Sequence, residues 1–478
     1  MSQLYSLAGL AHVVLAIVFV VDVLRRRQDP AAMLVWVMAI LGAPFIGVAL
    51  YLVFGSTRVR RAAARRKRRV GDMLERLARQ AQRGVEPARA ELDLPADLAA
   101  IEQIGRRLSQ FPATRGNRVS VFHEAEPTYA ALEQAIRGAQ RRLHLQYYIW
   151  QPDETGRHFR DLVIERARAG VDCRLLLDAV GCLRLTRRFT KPLTDAGVRL
   201  AYFMPLYPLR RRWAPHLRNH RKIAVIDGRV GFVGSQNIGD EYRGRLKRLS
   251  PWHDTNMRIE GPAALFLQET FAEDWLFATR EALDDDVFDV PLERPGDCVV
   301  QVAPSGPDQD VNALGQILLT AATIARDRIR IATPYFVPYG TLRAALTHAC
   351  YRGVRVQLVL PTRSDAPLVL RAGRSYYDEL LADGAEIFEY DGGMLHSKVV
   401  TVDDRWCMLG SANMDIRSFR LNFEITALVY DSRVAGELSG IIDGYCAKSR
   451  RVSRNDRARR RPHTQVIDGA ARLFAPLL

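Results

Sequence analysis

The chain has 478 residues, 48% of them hydrophobic and 26% charged. That excludes disorder of the whole chain and leaves room for several domains, or for one fold built twice. Its 69 Lys and Arg against 53 Asp and Glu give a formal net charge of +16. The excess sits in two runs, residues 58–69 with eight basic residues and no acid, and residues 448–461 with eight basic residues and one acid. The body between them is near neutral. This speaks against a nucleic-acid partner and for an anionic lipid surface. Six cysteines lie far apart without a Cys-x-x-Cys pair, which argues against a zinc ribbon or a disulfide framework and fits a reducing compartment.

Residues 1–55 read as an α-helical transmembrane hairpin. Leu4 to Leu24 is apolar apart from Ser6, His12 and Asp22, and Ala32 to Phe54 is apolar throughout. Each approaches the ~20 residues that a helix needs to cross a bilayer. The arginines after the first run stand where a signal peptide would have a small-residue cleavage site. Basic residues in the loop and after the second run, against none in the N-terminal tail, put both chain ends on the cytoplasmic side. Residues 56–116 read as a basic, helical connector, with helical periodicity over Asp72 to Arg83 and Ala96 to Phe111.

Residues 117–295 and 296–448 are one α/β unit written twice. Arg142 to Trp150 resembles Arg328 to Phe336, Gly170 to Asp178 answers Gly353 to Pro361, and Asp195 to Tyr202 answers Asp383 to Tyr390. Each set reads as short β-strands alternating with helical stretches. Residues 449–478 are expected to form a basic C-terminal tail, with a possible amphipathic surface helix over Val466 to Leu478.

One further matching pair carries the chemistry. His220-Arg-Lys222, Asp227 and Gly234-Ser235-Gln-Asn237 have the same spacing as His396-Ser-Lys398, Asp403 and Gly410-Ser411-Ala-Asn413. Both read H-x-K-x4-D-x6-G-S-x-N. Residues i and i+2 share a face of a strand, so each His lies beside its Lys. Asp227-Gly228 and Asp403-Asp404 read as hairpin turns, and the returning strands bring Ser235 and Asn237, or Ser411 and Asn413, back beside the imidazole. Asp227 and Asp403 complete the motif and are expected to act as turn or scaffold groups. Imidazole, ammonium, hydroxyl and amide together suit a phosphoryl site. Two copies supply the nucleophile and the proton donor that in-line displacement at phosphorus requires. With two lysines to neutralise charge and no acidic cluster, no metal and no cofactor are expected.

At these motifs the chain resembles the phospholipase D superfamily, and more closely its bacterial cardiolipin synthase branch. Leu145-Gln-Tyr-Tyr-Ile-Trp150, Trp252-His-Asp-Thr255, Thr333-Pro-Tyr-Phe-Val-Pro338 and Arg417-Ser-Phe-Arg-Leu-Asn-Phe-Glu424 extend the likeness over most of the chain. One departure is Gly-Ser in the first motif, where that branch is expected to have Gly-Gly. The resemblance implies two phospholipase D-like repeats packed as a pseudo-twofold pair. It also implies transfer of a phosphatidyl group between two phosphatidylglycerol molecules, giving cardiolipin and glycerol through a phosphatidyl-histidine. It further implies residence in the bacterial cytoplasmic membrane as a multi-pass protein. His220 would be the nucleophile and His396 the acid and base. Lys222, Lys398, Asn237 and Asn413 would hold phosphate oxygens. A carboxylate on the strand after each motif would orient a histidine, at Asp254 and Glu424. A membrane-bound hydrolase and a membrane-tethered nuclease use the same motif and remain alternatives.

Overall fold

All but two strands of the two repeats, β8 and β14, form one continuous sheet in the computed structural model, which describes residues 2–25, 30–54, 71–89, 92–204, 217–245, 250–309 and 311–475. The first basic run and Arg210 to Arg212 lie outside the described residues.

In the first repeat the strands are β1 (Thr114–Phe122), β2 (Arg142–Tyr147), β3 (Asp172–Asp178), β4 (Arg199–Phe203), β5 (Arg218–Asn219), β6 (Ile223–Ile226), β7 (Val230–Gly234), β8 (Trp252–His253) and β9 (Asn256–Glu260). In the second they are β10 (Cys298–Ser305), β11 (Arg328–Ala332), β12 (Arg355–Pro361), β13 (Glu386–Tyr390), β14 (Met394–Leu395), β15 (Val399–Val402), β16 (Trp406–Gly410), β17 (Asn422–Val429) and β18 (Ser449–Val452). The first repeat runs in the order β1-β9-β7-β6-β2-β3-β4, and the second in the matching order β10-β17-β16-β15-β11-β12-β13, ending at β18. The antiparallel pair β1–β10 joins the halves. Helices cross over between the parallel strands β2, β3 and β4, and again between β11, β12 and β13.

Two helices sit at matching places after β9 and β17, Ala264–Thr279 and Ser432–Ala447. The first is apolar nearly all round, so it is buried on every side. Phe266, Phe271 and Trp275 join Val434, Leu438 and Ile442 in one core cluster shared by both repeats. Burial of this shared layer makes the two repeats one body. The connector helices form close to where periodicity puts them, as Gly71–Arg89 and Ala96–Ser109.

At the N-terminus, helix α1 (Ser2–Arg25) is followed by α2 (Pro30–Gly42) and α3 (Pro44–Phe54). The sequence predicts two membrane-crossing helices here. Among the described residues, no helix is long and apolar enough to cross a membrane. The second apolar run is two helices instead of one. Pro44 has no N–H for the carbonyl one turn earlier, and the chain bends at Ala43. Only a glycine fits at position 47, where a Cβ would fall 2.3 Å from the Ala39 carbonyl oxygen. Tyr51 Oη donates to Asp22 at 3.0 Å and ties α3 to α1, which gives that acidic residue a partner within the hairpin.

The stretch set apart in the sequence as a tail folds onto the second repeat. β18 pairs antiparallel with β13, and helix Pro462–Leu473 packs against helix Pro367–Arg374. Its arginines do much of this docking. Arg457 is bidentate to Asp378 at 2.6 and 2.8 Å, and Arg454 donates to the Leu381 and Ala382 carbonyls.

Candidate active site

Two hairpins carry the motifs. β6–β7 and β15–β16 turn through Asp227-Gly228 and Asp403-Asp404, where all four residues have φ between 52° and 68°. This is the left-handed pair that a two-residue hairpin requires. Each aspartate also does a second task. The Asp227 carboxylate accepts from the main-chain N–H groups of Gln140, Arg141 and Arg142 at 2.8–2.9 Å. Asp403 accepts likewise from Arg326, Asp327 and Arg328 at 2.8–2.9 Å. Both carboxylates are therefore clamps between the hairpin and the start of β2 or β11.

The residues just before each H-x-K pair across the repeats. β5 runs parallel to β17, with Arg218 opposite Asn422 and Asn219 opposite Phe423. β14 runs parallel to β8, with Met394 opposite Trp252 and Leu395 opposite His253. The next step in each ladder sets His220 beside Glu424 and His396 beside Asp254. His220 Nδ1 lies 2.9 Å from Glu424 Oε2, and His396 Nδ1 lies 2.6 Å from Asp254 Oδ1. Taken repeat by repeat, Asp254 would serve His220 and Glu424 would serve His396. The structure crosses them. A carboxylate only accepts, so each Nδ1 carries a proton, and Nε2 presents a lone pair in the neutral imidazole or a second proton in the imidazolium.

Both carboxylates are held in turn. Ser411 Oγ donates to Glu424 Oε2 at 2.5 Å and Asn422 Nδ2 to Oε1 at 3.1 Å. Trp252 Nε1 donates to Asp254 Oδ2 at 2.8 Å, and its ring lies 5.0 Å from the His396 ring. On the other side Tyr148 packs edge-on against His220 at 5.0 Å and under Lys222 at 5.4 Å. Trp252, Asn422 and Tyr148 were not singled out from the sequence, although all three lie inside stretches that carry the family likeness. Arg221 points to the opposite side of its strand, where it donates to the Glu424 and Ser305 carbonyls and pairs with Asp274 at 2.8 Å.

The four residues expected to line the phosphate divide. Ser235 bonds the Thr255 carbonyl at 3.1 Å, and Ser411 bonds Glu424, so both hydroxyls brace the site from within. Asn237 accepts from Ile149 N–H at 3.1 Å and donates to Tyr242 Oη at 3.2 Å. Asn413 Oδ1 is buried and has no hydrogen-bond partner among the described residues. An amide oxygen only accepts, so this atom has capacity left for a donor such as an ammonium or a substrate hydroxyl, and phosphate oxygens would fall to the Nδ2 amide.

The ammonium groups are buried and crowded. Lys222 Nζ donates to the His220 carbonyl at 2.6 Å, and Lys398 Nζ to the His396 carbonyl at 2.8 Å. Burial lowers Lys222 well below the usual lysine range, and it brings Lys398 down to about 8 against the pull of Asp254 and Glu424. Burial also lowers His220 to about 4, opposed by Glu424 and reinforced by Lys222 and Lys398, and it lowers His396 as well. Burial raises the Asp254 and Glu424 carboxyls, but the histidines and lysines outweigh it and hold both below their ordinary values. The two copies differ in one contact. Lys398 Nζ also lies 3.1 Å from His396 Nε2. Two imidazoles with fixed tautomers, two buried ammonium groups and an amide can bind a phosphodiester and exchange one of its alcohols.

Compared with known proteins, the chain matches the family model described as "Cardiolipin synthase, PLD-like domain" over residues 132–275 and 318–445. It also matches "Phospholipase_D-nuclease N-terminal" over residues 14–56. It is 36% identical to a cardiolipin synthase of Geobacillus thermodenitrificans, over 97% of this chain and 92% of that one. It is 32% identical to cardiolipin synthase 1 of Bacillus anthracis, over 100% of this chain and 95% of that one. Among solved structures it is similar in fold to phosphatidylserine synthase of Haemophilus influenzae Rd KW20, with a TM-score of 0.59 and 17% identity over 80% of this chain and 100% of that one.

Proposed function

The chain belongs to the PLD-like cardiolipin synthase family, and from that premise and the site geometry we infer that it is a phosphatidyltransferase that converts two phosphatidylglycerol molecules into cardiolipin and glycerol. The observation that carries the mechanism is the pair of crossed dyads, each with Nδ1 held by a carboxylate of the other repeat, and with Lys398 of the second motif close enough to act on His220 of the first.

In the first step His220 Nε2 attacks phosphorus. The N–P bond forms, the P–O bond to the terminal glycerol breaks, and the leaving oxygen takes the Nε2 proton of His396, which enters this step as the imidazolium that Asp254 stabilises. In the second step His396 takes the proton of the terminal hydroxyl of another phosphatidylglycerol. That oxygen attacks phosphorus, and the N–P bond returns its electron pair to His220. Two features favour His220 as nucleophile: its low proton affinity, and the position of Lys398 against the Nε2 of His396. Lys222, Lys398 and Asn413 hold the phosphate oxygens, with Asn237 completing the set if its amide is released from Ile149 and Tyr242. Glu424 and Asp254 fix the imidazole tautomers and stabilise imidazolium. No metal or cofactor takes part.

The same reading puts the protein in the bacterial cytoplasmic membrane, with the repeats on the cytoplasmic side. The N-terminal helices turn large apolar side chains outward, among them Val14, Ile17, Leu34, Met38 and Ile46, each more than half exposed. Such faces fit lipid better than water.

The test is a product assay with purified protein and phosphatidylglycerol labelled in its terminal glycerol. Cardiolipin and free labelled glycerol are expected. Phosphatidic acid and glycerol without cardiolipin would make the protein a hydrolase. Cleavage of a phosphodiester polymer with no lipid turnover would make it a nuclease.

A further inference from the structure

Helix Pro462–Leu473 is built inside out. Val466, Ile467, Ala470, Leu473 and Phe474 recur at the three-, four- and seven-residue spacings that share one helix face. In a helix that only completes a fold, such a face points inward. Here it points outward: Val466 is 70% exposed, Ile467 49%, Leu473 80% and Phe474 50%. The inward face instead carries Asp468, which is buried and accepts from Arg371 and Arg460 at 3.4 and 2.5 Å.

The surroundings give the patch a charge and a place. The arginines of the second basic run divide between two tasks. Arg454, Arg457 and Arg460 are engaged with the protein's own carbonyls and carboxylates, whereas Arg459 and Arg461 stand exposed at the start of the helix. The neighbouring helix Pro367–Arg374 adds Leu368, also exposed. It begins two residues after Asp365, which accepts from Tyr335 Oη at 2.6 Å. Tyr335 in turn takes the Met414 N–H on its carbonyl, next to Asn413. The start of helix Pro367–Arg374, with Leu368, therefore lies on the second-motif side of the site, and the last helix packs alongside that helix. Exposed aliphatic and aromatic side chains beside exposed arginines match the layered chemistry of an anionic bilayer, with acyl chains below and phosphate above.

We propose that the outward face of helix Pro462–Leu473, with Arg459 and Arg461 beside it, docks onto an anionic lipid bilayer as a second membrane contact separate from the N-terminal helices. It seats the rim of the cleft at headgroup depth, where a lipid phosphodiester can enter without leaving its leaflet. The proposal rests on the phosphatidyltransferase reading and adds to it where the catalytic body touches the membrane.

The full chain in phosphatidylglycerol-containing nanodiscs tests this. An environment-sensitive fluorophore is attached at Leu473→Cys and, separately, at Tyr351→Cys, which is exposed at the other end of β12. Unsubstituted protein sets the labelling background. Nitroxide-bearing lipid is expected to quench the label at 473 and not that at 351, increasingly so as the anionic fraction rises. An unquenched label at 473, or its disulfide capture by a second copy, would overturn the proposal.

The paired variant Leu473→Glu/Phe474→Glu gives an independent readout. Cardiolipin formation from vesicles is expected to fall by about tenfold or more, with the rate on monomeric dihexanoyl phosphatidylglycerol unchanged. Equal rates on vesicles, or equal losses on both substrates, would count against docking. Should the unsubstituted protein make no cardiolipin from either lipid, the transferase reading fails by itself, and the quenching result still decides the docking.

Discussion

His220 and Glu424 are 204 residues apart in the chain and 2.9 Å apart in space, Nδ1 to Oε2. The carboxylate on the second repeat's strand β17 therefore sets the tautomer of the histidine in the first motif. Glu424→Gln keeps the size and removes the charge that supports imidazolium. Cardiolipin formation is expected to fall by about 10²–10⁴-fold. Because the two residues act as one unit, His220→Ala/Glu424→Gln is expected to be no slower than His220→Ala alone. Steady-state turnover of labelled phosphatidylglycerol measures both, and near-normal activity in Glu424→Gln would remove the crossed dyad from the mechanism.

Ser411 separates the two roles open to a motif hydroxyl. Its Oγ donates to Glu424 at 2.5 Å, so it acts on the dyad from behind. A hydrogen bond to a charged group contributes about 1.5–3 kcal/mol, and Ser411→Ala is expected to lower kcat by roughly 10–100-fold with little change in KM. Asn413→Ala, which removes an amide proposed to hold phosphate, is expected to raise KM as well. A rise in KM alone for Ser411→Ala would return the hydroxyl to the phosphate.

Asp227 distinguishes scaffold from chemistry. Its carboxylate accepts from three main-chain N–H groups, and its φ is 53°. Asp227→Ala leaves those donors unmet and is expected to cost about 2–4 kcal/mol of stability, seen as a lower Tm. The kcat per folded molecule should stay within about threefold of the original, as expected when no transition-state contact is lost. Loss of turnover without loss of Tm would make Asp227 part of the chemistry.

Lys398 provides a pH signature. Burial brings it from the ordinary 10.5 down to about 8, so the folded protein releases this proton before the unfolded chain does. Between pH 8 and 10.5 the unfolded state binds more protons, and stability from this group rises with pH; below pH 8 both states are charged and the contribution is flat. Lys398→Met lacks the effect. The stability difference between the original protein and the variant, followed through Tm, is expected to move in the original's favour from pH 8 upward, by an amount on the order of 3 kcal/mol once pH 10.5 is passed. A constant difference would mean that the ammonium is solvated.

Much of the second-repeat hairpin can be read from its letters. Val399 to Val402 is a β-branched run that continues the strand and ends in Asp403-Asp404, and β15 and its turn form there. The same holds for Ile223 to Ile226. Spacing also puts His396 and Lys398 on one face, and Lys398 Nζ reaches its own histidine's carbonyl. Ser235 and Asn237 are a different matter. Their positions follow from the returning strand, but Ser235 is taken by Thr255, and Asn237 by Ile149 and Tyr242. Those competing partners come from elsewhere in the chain and have no signature near the motif.

The sequence by itself determined the duplicated α/β unit and the twin motifs, because periodicity, turns and repetition act over short range, while Asp254 and Glu424 followed from the family resemblance. Only the tertiary structure decided which carboxylate serves which histidine. That choice rests on two-residue strands, Arg218–Asn219 and Met394–Leu395, that pair with the opposite repeat. Two residues are too few to show a period, and their partners lie more than a hundred positions away. The break at Pro44 belongs to the same class, as does the docking of the last helix on the second repeat through Asp468. A run of apolar letters states what must avoid water, and the packing of the rest of the chain decides which surface covers it.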